Sequence, residues 1–121
     1  MISQVQKVTV PVRDQDRALD FYRDKLGCTV TRDVPMGPEA RWLEVALPGG
    51  GPNVVLFTPP GLESRIGQFT GIVLTAPDVW KTCEELAAKG VEFAEPPARR
   101  DWGGVMALFK DADGNTFVLH D

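Results

Sequence analysis

Histidine, tyrosine and cysteine are scarce: one, one and two copies in 121 residues. Cys28 and Cys83 fit neither a disulfide framework nor a zinc site by their spacing. The expectation is two reduced core thiols in a cytoplasmic protein. With His120 as the only histidine, near the end of the chain, a hydrolase triad is improbable, and neither Ser3 nor Ser64 lies in a nucleophile elbow. The chain has no basic stripe: Arg99–Arg100 is only a pair, the net charge is −4 and the pI about 4.9, so no nucleic acid partner is expected. No apolar run is long enough to span a bilayer, and MISQVQKVTV lacks the basic and apolar regions of a signal peptide, so no membrane partner is expected. Gly49-Gly50-Gly51 lacks the Lys-Ser/Thr of a phosphate loop and precedes a strand rather than a helix.

What the chain does contain is a stretch written twice. KVTVPVRDQDRALDFYRDKLG, from Lys7 to Gly27, reads as strand, Asp cap, amphipathic helix and Gly stop. GIVLTAPDVWKTCEELAAKG, from Gly71 to Gly90, repeats that grammar; Asp14 and Asp78 lie 64 apart (78−14) and Gly27 and Gly90 lie 63 apart (90−27). A β-rich run broken by Gly and Pro follows each copy. The period implies two βαβββ units of an α+β protein: module one over 4–58, a connector over 59–69 and module two over 70–121. Each half has only about 55–60 residues, marginal for an independent core, so one domain over 1–121 is expected.

Alternation assigns the strand faces. Strands are predicted at Lys7–Val12, Cys28–Val34, Arg41–Leu47 and Asn53–Thr58. In the second copy they run from Thr70, then Val91–Ala94 (ended by Glu95-Pro96-Pro97), Val105–Phe109 and Thr116–His120. Ala18, Leu19, Tyr22 and Leu26, with Phe21 beside them, form the buried stripe of the first helix; Val79, Cys83, Leu86 and Ala87 form that of the second. Val8, Val10, Val12, Val54, Leu56, Ile72, Leu74, Phe117 and Leu119 belong under the helices.

The opposite faces then carry Lys7, Thr9, Trp42, Glu44, Val55, Phe57, Val73, Val118 and His120, with Trp102 reaching in from a loop over 98–104. Two such faces turned toward one another would enclose a cavity for a small molecule. Trp42, Phe57 and Trp102 are either ligand platforms or core, and Met36 and Met106 are weaker candidates of the same kind. Glu44 is either a general base or the partner of Lys7 across the barrel. His120 is either a proton acceptor or ligand-anchoring donor, or a plain, partly exposed imidazole.

These features resemble the vicinal oxygen chelate superfamily, the glyoxalase, bleomycin-resistance and extradiol-dioxygenase group. VTVPVRDQDRALDFYRDKLG and the closing FKDADGNTFVLHD carry the resemblance. It implies an open barrel of paired βαβββ modules around a pocket, commonly in a homodimer. Catalytic members hold a divalent metal on first and last strands; by register those positions fall at Lys7, Val55, Gly71 and Val118. None is a metal donor, so no metal and no cofactor are expected. Two functions follow. One is a metal-free binding protein of the resistance or sequestration type for an aromatic or hydrophobic small molecule, its acidic surface favouring cations. The other is an enzyme: a metal-dependent lyase or dioxygenase with displaced ligands, or a metal-free one using Glu44 or His120.

Overall fold

The computed structural model describes residues 1–121, which divide into two compact units, Met1–Ile66 and Gly67–Asp121. In the first, β1 (Lys7–Val10) leads through α1 (Gln15–Asp24) to β2 (Thr29–Pro35), β3 (Arg41–Ala46) and β4 (Asn53–Leu56). In the second, β5 (Phe69–Thr75), α2 (Val79–Ala88), β6 (Phe93–Arg99), β7 (Val105–Lys110) and β8 (Thr116–His120) follow in the same order. The sheets have equivalent topologies, β1-β4-β3-β2 and β5-β8-β7-β6, in which first and last strands pair in parallel. The molecule is therefore α+β, built from two βαβββ modules. No helix is long and apolar enough to cross a membrane.

Each helix begins the same way. The Asp14 carboxylate accepts from the N–H of Arg17, and that of Asp78 from the N–H of Lys81, both at 3.1 Å, satisfying a donor that the first helical turn leaves open. Ala18, Phe21 and Tyr22 are buried from α1, and Val79, Cys83 and Leu86 from α2. The expected stripes need correction at three places: Leu19 and Leu26 are only half-buried, and Ala87 is exposed. Under α1 lie Val10, Leu43, Val45, Val54 and Leu56, all buried; the second module buries Val105, Ala107, Phe109, Phe117 and Leu119. Cys28 and Cys83 are buried free thiols, and burial pushes Cys28 up to about 11 and Cys83 upward too, leaving both poor nucleophiles.

Several strand limits differ from the sequence reading for local reasons. β1 stops at Val10 because Pro11 has no N–H to give a ladder. Thr58 replaces the ladder there: its hydroxyl accepts from Val12 N–H at 2.9 Å and donates to Val12 C=O at 2.7 Å. β6 runs through Pro96 and Pro97 instead of ending before them. It is an edge strand with two register shifts, the setting in which proline is tolerated. The connector holds one short 3-10 turn, Glu63–Arg65. The Asp111–Asn115 turn is buried, with Asp111 accepting from the N–H groups of Asp113 and Asn115 and from the Asn115 side chain. Asn115 Oδ1 in turn accepts from Gly67 N–H at 2.8 Å, tying that turn to the start of its module.

Candidate functional site

In module one, parallel pairing sets Lys7 beside Asn53 and Thr9 beside Val55, while antiparallel pairing sets Glu44 beside Val55 and Arg32 beside Glu44. Paired residues share a face, so Lys7, Arg32, Trp42, Glu44 and Asn53 stand on the side of the sheet away from the α1 core. There they converge on one carboxylate. Glu44 Oε1 accepts from Lys7 Nζ at 2.9 Å and from Trp42 Nε1 at 3.0 Å; Oε2 accepts from Asn53 Nδ2 at 2.8 Å. The Glu44 side chain is 7% exposed, that of Lys7 32%. A buried carboxylate stays ionised only when donors replace its water. The Asn53 and Trp42 hydrogen bonds, then that of Lys7, outweigh burial and hold Glu44 down to about 2.

That geometry favours one of the two sequence readings of Glu44, the partner of Lys7. A carboxylate held this low and engaged by three donors is a poor proton acceptor at neutral pH. Its partner is Lys7, reached over β4 within one sheet rather than across a barrel. Glu44 instead fixes the indole of Trp42. The Trp42 ring lies 6.5 Å from Phe57 and 5.8 Å from Lys7 Nζ, centroid to centroid and centroid to nitrogen. Thr9 is exposed and Val55 fully buried on this face.

Module two places different chemistry at equivalent positions. Val73 pairs with Val118, Leu108 with Val118 and Met106 with His120. Leu108 thus takes the place of Glu44, which pairs with Val55 in module one. Val73 is exposed, while Val118 and His120 are half-buried. Trp102 stacks on His120, ring centroids 4.7 Å apart and planes 10° from parallel. Gly104 makes room for it: a Cβ there would lie 1.9 Å from a Trp102 ring carbon. The loop is closed by Arg100 N–H to Gly104 C=O at 2.8 Å and by Arg99 Nη1 to Gly103 C=O at 3.0 Å. His120 Nδ1 bonds the Asp121 backbone oxygen, so one ring nitrogen is already engaged.

The expected metal positions do not suit a divalent ion. Val55 and Val118 have no donor atom, Gly71 sits at φ +74 in the irregular stretch of β5, and the Lys7 ammonium is bound to Glu44. No cluster of three or more His, Cys, Asp or Glu side chains is gathered that could hold one. Met36 is exposed at the end of β2. Two residues of the module-one face escaped the sequence reading. Asn53 was available from alternation with Val55 and Phe57. Arg32 was not, because the register shifts between Val30 and Arg32.

Comparison with known proteins places this geometry. Residues 4–119 match the Glyoxalase/Bleomycin resistance protein/Dioxygenase superfamily. The chain belongs to that superfamily. It is similar to a member from Sphaerobacter thermophilus DSM 20745, at 36% identity and a TM-score of 0.89, over 98% of this chain and 97% of that one. It is also similar to TnmS3, an antibiotic binding protein from Streptomyces sp. CB03234, at 37% identity and a TM-score of 0.84, over 98% and 95% of the two chains. The uncharacterized protein YetH of Bacillus subtilis (strain 168) is 38% identical over the full length of both chains.

Proposed function

We propose that this protein binds a small aromatic or hydrophobic molecule without a metal and sequesters it rather than transforming it. The observation that carries the reading is the module-one face, where Trp42 and Phe57 stand beside a Lys7–Glu44–Asn53 cluster that fixes the indole. Aromatic surface with a few oriented polar groups is the usual make-up of a small-molecule site. Similarity to TnmS3, an antibiotic binding protein, supports the same reading. Trp102 on His120 supplies a second aromatic surface, bordered by Val73 and Val118. A catalytic reading lacks a base in Glu44, whose carboxylate is committed to three donors. The protein works in the cytoplasm, where Cys28 and Cys83 stay free thiols, and as a homodimer, since each sheet ends in open strand edges that association would cover.

Titration with planar aromatic antibiotics, followed by tryptophan fluorescence, tests this. Quenching is expected, with the compound recovered chemically unchanged. Trp42→Ala or Trp102→Ala weakens binding by about 1–3 kcal/mol where the ring is an anchor. Turnover of the compound, or a divalent metal retained stoichiometrically after dialysis, would overturn the reading. Light scattering should give twice the 13.3 kDa chain mass at micromolar concentration; a monomer would remove the dimer.

A further inference from the structure

We propose that the module-one face selects planar aromatic molecules bearing an acceptor oxygen (carbonyl, phenolate or carboxylate) over aromatic cations, with Lys7 and Arg32 as the selecting groups. The inference rests on the binding reading above and names its ligand class.

The whole chain carries −4, which by itself would favour cations. The face does not share that sign. Its charged side chains are Lys7 on β1, Arg32 on β2 and Glu44 on β3, two cations to one anion. The anion is spent: both Glu44 oxygens already accept, and the side chain is almost out of solvent. The cations are not. An ammonium has three donors, and that of Lys7 uses one on Glu44 while staying 32% exposed. Arg32 is exposed beside Glu44, and no ion pair engages it. A cation seeking the Trp42 ring would also meet Lys7 Nζ, 5.8 Å from its centroid. A ring resting on Trp42 and Phe57 with an oxygen toward Lys7 gains a charge-assisted hydrogen bond instead. Short-range contacts outweigh net charge here because salt screens the latter beyond about 8 Å.

The test uses three probes of one shape: 2-naphthoate, 2-naphthylmethylammonium and 2-methylnaphthalene. Each is titrated into the full chain at neutral pH while the indole N–H signal of Trp42 is followed by NMR, assigned with Trp42→Phe. Naphthoate is expected to bind about tenfold tighter than the ammonium compound, the scale of one charge-assisted hydrogen bond. Arg32→Gln, an exposed change that leaves the Glu44 cluster intact, should reduce that ratio. Lys7→Met combined with Glu44→Gln, which leaves no unpaired buried charge, should reduce it further. Equal binding of the charged probes, or preference for the cation, overturns the selection while the binding reading stands. If none of the probes moves the Trp42 signal, the binding reading falls and the selection with it.

Discussion

The two modules share strand order and an Asp cap at each helix start, yet differ at the positions that face away from their helices. Module one puts a carboxylate in the middle of that face and surrounds it with Lys7, Trp42 and Asn53. Module two puts Leu108 there, Met106 on the same strand and Gly71 on the first strand. The aromatic stack on that face comes from a loop residue, Trp102, lying on a strand residue, His120. A duplicated scaffold therefore tolerates either a fully satisfied polar cluster or none, and the intermediate case is the expensive one.

Breaking the cluster halfway should give the largest effect. Lys7→Met leaves the buried Glu44 carboxylate with only neutral donors and should cost about 3 kcal/mol in urea unfolding. Lys7→Met with Glu44→Gln, which removes both charges and keeps an amide oxygen as acceptor, should recover most of that. A single variant as stable as the parent would mean the ion pair holds nothing. Acid sharpens the same point. The Asn53 and Trp42 hydrogen bonds, followed by Lys7, take Glu44 from an ordinary 4.5 down to about 2. The native state therefore holds fewer protons than the unfolded one between those values, so this contribution is complete above about pH 4.5 and is lost as pH falls toward 2. Urea midpoints measured downward from pH 5 should fall less steeply in Glu44→Gln than in the parent; parallel curves would remove Glu44 as the titrating group.

The smallest effect belongs to module two. Gly104→Ala places a methyl where the Trp102 ring lies and should lift it from His120. The loss is about 0.5–1.5 kcal/mol, the scale of an aromatic pair. Because His120 is the only histidine, its imidazole protons give one resolved set of NMR signals, which should move downfield as the ring-current shielding disappears. Unchanged signals would show that the stack does not depend on Gly104.

Local signals made the repeated scaffold legible. Asp14 and Asp78 announce the helix starts, and the alternation of Leu43 and Val45 with Trp42 and Glu44 separates the faces of β3. Trp42, Glu44 and Lys7 could be gathered from alternation, and Lys7 named as a partner for Glu44; that Trp42 and Asn53 converge on the same carboxylate could not, since it depends on which strands neighbour β4. Arg32 lay hidden behind a shift in register, which reverses the parity of every residue beyond it. Pro96 and Pro97 read as a strand end because the sequence does not say that β6 lies at a sheet margin. The partner of Trp102 depended on a missing side chain at Gly104, a signal carried by empty space rather than by a group.

Those two prolines have a consequence for assembly errors. A strand at the margin of a sheet is a template on which a stray segment can stack, hydrogen bond by hydrogen bond. β6 offers a broken template: two of its seven residues have no N–H, and its pairing is interrupted twice. β2 is the less broken of the two: its seven residues are exposed throughout, its only proline is its last, Pro35, and its pairing shifts once, between Val30 and Arg32. Stress that loosens the molecule should therefore seed fibrils from module one, and a proline at an outward-facing N–H of β2 would be the place to stop them.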